Sequence, residues 1–150
     1  MKTLSKEEKV QLTTGRDLWF CYGEEKLGQK KLLLADGPHG VRVYTDIVTR
    51  EGQHLDQTKL AKSTMFPSAV AMSSTFNDQL IEELGFTIGK ECNHFGVDVL
   101  LAPGLNLKRS PLGGRNFEYY SEDPYLTGKI GSAFVRGVQQ NNVGTTIKHF

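Results

Sequence analysis

The chain has 150 residues, of which 38% are hydrophobic and 23% charged, and its formal net charge is +1. There is enough apolar material to bury a core, which excludes a disordered chain, and the length suits one ordinary domain or a piece of a larger one. The near-neutral balance excludes a nucleic-acid surface built on excess Lys and Arg, and no apolar run is long enough to span a bilayer.

Ser5 followed by Glu8 has capping-box spacing and predicts a short helix that dies at Gly15. "KLLLAD" (31–36) is a short apolar run ending in an acid and reads as a buried strand. From Val43 to Ser63 the chain is polar and weakly patterned, and reads as an exposed loop. Loops this long inside a compact domain are uncommon and usually functional or mobile. "FPSAVAMSSTFN" (66–77) is small and apolar and reads as a short buried strand or turn. Asn77 then caps a helix whose apolar face is Ile81, Leu84, Ile88, Cys92 and Phe95, and Gly96 ends it. "VDVLLAPG" (97–104) is the next strand, and a long irregular loop covers 103–123. Asp123 and Pro124 make an N-cap and first-position pair for a second helix. Its stripe is Leu126, Ile130, Phe134 and Val138, and it runs to about Asn141. Gly144 leads into "TTIKHF", a strand of Thr145, Thr146 and Ile147 followed by Lys148 and His149.

The order is strand, helix, strand, helix, strand, with strands too apolar to face water on one side. That order predicts an α/β chain with a parallel sheet and covering helices. Polar residues recur at the carboxyl ends of these strands: Asp36, then Asn106 to Arg115, then Lys148 and His149. In parallel α/β folds that edge is where ligands bind. Acids with an Arg, a Lys and a His suit a neutral polyol, because each hydroxyl both donates and accepts.

Each candidate also has a plainer explanation. Asp36 sits in "ADGPHGVR", where Asp-Gly and Gly-Pro are turn formers. Arg115 could merely tie its loop to Glu118 or Glu122, and Lys148 and His149 could be a polar strand end. Tyr119, Tyr120 and Trp19 could stack on a sugar ring, or the tyrosines could divide between core and surface. "ELGFTIGKEC" has a superficial likeness to a phosphate loop, but its spacing is one short and Glu91 stands where a magnesium-binding hydroxyl belongs. Cys21 and Cys92 form no CxxC, so neither a disulfide framework nor zinc is expected. His39, His54, His94 and His149 lack metal-helix spacing. "MKTLSKEEKV" lacks a signal peptide's apolar run, so the location expected with Met1 as the start is cytoplasmic.

The block "APGLNLKRSPLGGRNFEYYSEDPYLTG", with "LLLADGPHGVR" before it and "VGTTIKHF" (143–150) after it, resembles glycoside hydrolase family 3 of the β-glucosidase type. "TGRDLW" (14–19) and "TMFPSAVAMSSTF" (64–76) extend the likeness over nearly the whole chain. The resemblance implies that 1–150 is the first part of an N-terminal (β/α)8 TIM-like barrel, incomplete here. It implies hydrolysis of terminal β-linked glucose with retention, which needs two carboxyl groups roughly 5 Å apart and no metal or cofactor. The family's nucleophilic Asp and acid/base Glu would lie after residue 150, so no catalytic residue is expected within 1–150 and the fragment alone should be inactive. Asp36, Arg115, Lys148 and His149 match family residues that bind the terminal sugar; Arg42 and Arg109 would support the loops. The partner implied is a small glycoside, not nucleic acid or membrane. Within the family, β-xylosidase and β-N-acetylglucosaminidase remain alternatives, and "GGRNFEYYSEDP" argues against the latter. A non-catalytic sugar-binding remnant is the alternative from another class. A phosphate-handling barrel is disfavoured by Asp36.

Overall fold

The computed structural model describes residues 4–16, 19–23, 28–44 and 60–149. Its helices are α1 (Lys6–Leu12), α2 (Ala69–Ser73), α3 (Asp78–His94) and α4 (Pro124–Gln139). Its strands are β1 (Phe20–Cys21), β2 (Leu32–Asp36), β3 (Val99–Leu101) and β4 (Gly144–Thr145). They form one sheet in the order β1-β2-β3-β4, with β2, β3 and β4 parallel and β1 antiparallel to β2. The expected parallel series is therefore present, and β1 adds an antiparallel edge that the sequence did not suggest.

Local chemistry sets the helix ends. Ser5 Oγ accepts from the Glu8 N–H and Glu8 accepts from the Ser5 N–H, a complete capping box. Asn77 Oδ1 accepts from Leu80 N–H at the start of α3, and Gly96 follows it with φ +70°. At α4, Asp123 accepts from the N–H groups of Tyr125 and Leu126, and Pro124 takes the position where a missing N–H costs nothing.

Two expectations need correction. Residues 66–77 contain the short helix α2, capped by Ser68, rather than a strand or turn. Regular pairing of the last strand stops at Thr145, and the chain continues beside β3 in irregular form. Within these 150 residues alone, Leu33 and Ala35 of β2 are buried, Leu34 is half-buried and Leu32 is exposed. Of the predicted loop over 43–63, the ends are built in, since Val43 and Tyr44 are buried and Tyr44 bridges Leu60. The stretch 45–59, with His54, lies outside the described residues.

The core joins Leu33, Ala35 and Leu100 of the sheet to Ile81, Ile88 and Cys92 of α3 and Ile130, Phe134 and Val138 of α4. These are the buried faces that helical spacing predicted. The two long helices touch almost backbone to backbone. A Cβ added at Gly137 would overlap the Glu82 carbonyl oxygen. Polar ties run along the same seam: Arg136 to Glu82 at 2.9 Å, Gln140 to Glu82 at 2.8 Å, and Asn141 Nδ2 to the Phe86 carbonyl at 3.0 Å. The signs of two glycine replacements should therefore differ. Gly137→Ala should destabilise by about 1–3 kcal/mol, as overpacking does. Gly128→Ala, with nothing within 4 Å of its added Cβ, should stabilise by about 0.4–1 kcal/mol. Chemical denaturation of the protein carrying this domain measures both, and equal effects would contradict the close helix contact.

Candidate functional site

The site begins where β2 ends. Asp36 pairs in register with Leu101 of β3, and its carbonyl accepts from Arg42 N–H at 2.8 Å across the "DGPHG" turn. Gly37 has φ +143°, a conformation L side chains rarely adopt. The turn explanation of this stretch is thus correct for the backbone. It also sets up the side chain, because it leaves the Asp36 carboxylate at the strand's carboxyl edge in contact with Lys148. The same turn is anchored by His39, whose Nε2 accepts from Ala69 N–H at 3.0 Å and whose carbonyl accepts from Phe66 N–H at 2.8 Å. His39 thereby helps cap α2, a role the sequence did not reveal because its partner is 30 residues away.

Lys148 and His149 are delivered by the irregular continuation of β4. Thr146 N–H donates to the carbonyls of Leu100 and Ala102, Lys148 N–H to that of Pro103, and Leu105 N–H back to that of Lys148 at 2.7 Å. Asn106 then grips the His149 main chain: Oδ1 accepts from its N–H at 2.7 Å and Nδ2 donates to its carbonyl at 3.2 Å.

The side chains converge from there. Lys148 Nζ donates to Asp36 Oδ1 at 2.6 Å. Arg115 Nη2 lies 2.8 Å from His149 Nε2, and Tyr119 Oη lies 3.2 Å from His149 Nδ1. Arg115 Nε donates to Glu118, which is buried despite its charge. The pair explains how Glu118 can be there, and the hydrogen bond raises the Arg115 pKa further above its ordinary value. The plain explanation of Arg115, a tie to Glu118, is therefore true as well. It holds the guanidinium while leaving Nη2 for the site.

All four sugar-binding candidates, Asp36, Arg115, Lys148 and His149, thus meet at one edge of the sheet. Beside them, Leu105, Asn106, Leu107, Arg109, Ile147, Lys148 and His149 line a cavity of about 470 Å³. Arg109 lies on this cavity, while Arg42 Nη2 turns to Tyr44 Oη at 3.0 Å. Tyr119 and Tyr120 are both buried rather than divided between core and surface, and Trp19 packs against the core with its ring 6.1 Å from that of Tyr44. The stretch that resembled a phosphate loop is the interior of α3, where its N–H groups are already used. Burial pushes the Cys92 thiol up to about 12, so it is inert. Among the described residues no group of three His, Cys, Asp or Glu could hold a metal, and no helix is long and apolar enough to cross a membrane.

A parallel α/β sheet with polar groups gathered at its carboxyl edge is the architecture of a ligand-binding barrel wall. Residues 29–150 match the glycosyl hydrolase family 3 N-terminal domain, and the chain belongs to that family. It is 40% identical over all its 150 residues to thermostable beta-glucosidase B of Acetivibrio thermocellus, spanning 19% of that protein. It is 44% identical, also over its full length and 19% of the relative, to an exo-alpha-(1->6)-L-arabinopyranosidase of Bifidobacterium longum. Beta-glucosidase 3B of Thermotoga neapolitana, solved with alpha-D-glucose, superposes with a TM-score of 0.83 at 42% identity, over 98% of this chain and 22% of that one. The beta-glucosidase of Kluyveromyces marxianus, solved with glucose, gives 0.84 at 36% identity, over 98% of this chain and 16% of that one. The chain therefore spans about a fifth of the relatives' length, and its fold is the N-terminal portion of a (β/α)8 TIM-like barrel, incomplete within these residues.

Two histidines make stability depend on pH. Burial, above all, lowers the pKa of His39 and of His149 below 6.5; at His149 the charges of Arg115 and Lys148 add to the effect. The unfolded chain then binds more protons than the fold just below that value, so the contribution is complete above about pH 6.5 and is lost as pH falls beneath it. The Tm of the protein carrying this domain should drop as pH falls below about 6.5. His39→Gln, which keeps an acceptor for Ala69 N–H but cannot titrate, should flatten part of that drop. An unchanged pH profile in the variant would contradict the role given to His39.

Proposed function

We propose that the protein carrying this domain is a retaining β-glucosidase, and that this domain forms much of the wall around the terminal sugar. The observation that carries the proposal is the meeting of Asp36, Lys148, His149 and Arg115 at the carboxyl edge of three parallel strands. The names of the relatives support the same activity.

In this reading the Asp36 carboxylate accepts hydrogen bonds from sugar hydroxyls, and Lys148 and Arg115 donate to them. Charged partners make the stronger hydrogen bonds. The Asp36–Lys148 pair orients both groups before substrate arrives. Contacts that strengthen as the ring flattens toward an oxocarbenium ion lower the barrier, whereas contacts of equal strength throughout would only tighten binding. The nucleophilic Asp and the acid/base Glu are supplied from outside these 150 residues, roughly 5 Å apart as retention demands.

The test is hydrolysis of an aryl β-D-glucoside by the complete protein, with the first-formed anomer read by NMR. The β-anomer is expected, and an α-anomer product would overturn retention. Asp36→Ala should lower kcat/KM by about 3 kcal/mol of transition-state binding, roughly a hundred-fold, since it removes a charged acceptor and strands Lys148. A rate within two-fold of wild type would remove Asp36 from the site. A second sugar has a specific observation in its favour: two Bifidobacterium relatives, each 44% identical, are exo-alpha-(1->6)-L-arabinopyranosidases. The same assay on an aryl α-L-arabinopyranoside decides between them by the larger kcat/KM.

A further inference from the structure

His149 is held from three directions, and the partners differ in what they can do. The guanidinium of Arg115 has only N–H groups to offer. Its Nη2 lies 2.8 Å from His149 Nε2, so that ring nitrogen must present a lone pair. A neutral imidazole carries one proton, which must then sit on Nδ1. There, Tyr119 Oη stands at 3.2 Å and accepts it. Two partners of opposite sense thus select one tautomer. The Tyr119 ring meets the imidazole edge-on, with centroids 5.8 Å apart and planes at 71°. It is also buried, at 8% exposure, so it cannot swing clear.

The main chain is fixed as firmly as the ring. Asn106 takes both backbone polar groups of His149, accepting from the N–H at 2.7 Å and donating to the carbonyl at 3.2 Å. A carboxamide can do both at once; a carboxylate lacks the donor and an aliphatic side chain lacks either.

We propose that Tyr119 and Asn106 are positioning residues for His149, Tyr119 setting its tautomer and Asn106 its main-chain placement. The consequence is chemical. The one Nε2 lone pair is taken by Arg115, so His149 in turn fixes the guanidinium and leaves its remaining N–H groups to donate to a sugar hydroxyl. That consequence rests on the sugar-site reading, while the assignment of positions does not.

The experiment labels the histidines of the complete protein with 15N and reads the His149 tautomer by long-range 1H–15N NMR at about pH 7.5, above the ordinary histidine pKa. His149→Gln identifies the signal. Wild type should show the proton on Nδ1 alone. Tyr119→Phe should give a mixture of tautomers and lower kcat/KM on the aryl glucoside about ten-fold, the effect of one hydrogen bond. Asn106→Ala should lower kcat/KM by at least as much while the tautomer stays on Nδ1. A wild-type proton on Nε2 would overturn the assignment, and so would a Tyr119→Phe protein with unchanged tautomer and rate. The wild-type spectrum needs neither variant nor substrate, so it decides even if a variant fails to fold. If the spectrum is as stated but wild type hydrolyses no glycoside, the sugar reading fails and the positioning assignment stands.

Discussion

Asp36 and Lys148 are 112 residues apart in the chain and 2.6 Å apart in space. Nothing local brings them together. They meet because β2, β3 and β4 run parallel in fixed register, with Asp36 opposite Leu101 and the chain after β4 laid along Pro103 to Leu105. A slip of one residue in either pairing would turn the polar ends to the other face. The pair is partly withdrawn from water, with 17% of the Lys148 and 38% of the Asp36 side chain exposed. It is therefore worth more than a surface pair and escapes the full desolvation cost of a buried one.

The rest of the domain keeps that register. α3 and α4 press together closely enough that glycine is needed at the contact, and together they bury the outer face of the sheet. The loop over 103–123 has little regular structure, yet it is fastened along its length. Lys108 Nζ donates to the Tyr120 carbonyl at 3.2 Å, Ser73 Oγ to the same carbonyl at 2.7 Å, and Asn116 Nδ2 to the Ser110 carbonyl at 2.7 Å. A loop so tied can hold Arg115 in place through Glu118, which a free loop could not.

Much of this was legible in the sequence, for definite reasons. Ser5, Asn77, Asp123 and Pro124 announce helix starts because capping chemistry is local. Ile81, Ile88, Ile130 and Phe134 announce buried faces because a helix repeats every 3.6 residues. Family-specific motifs singled out Asp36, Arg115, Lys148 and His149, and the structure brings all four to one edge. What stayed hidden is non-local. α2 is too short to show a period, and β1 is only two residues long. The His39 bond to Ala69, the Asn106 grip on His149 and the Tyr119 contact with its ring all join residues at least 30 apart. Spacing along one chain carries no sign of such pairs.

The central claim is that Asp36 and Lys148 act as one unit in holding a sugar. A double-mutant cycle on glucose affinity tests it most directly, using Asp36→Asn, Lys148→Met and the double variant of the complete protein in calorimetric titrations. If the two side chains share a ligand and orient each other, the double variant should lose clearly less than the sum of the single losses, by about 1 kcal/mol or more. Strictly additive losses, or single variants that bind glucose as tightly as wild type, would contradict the account.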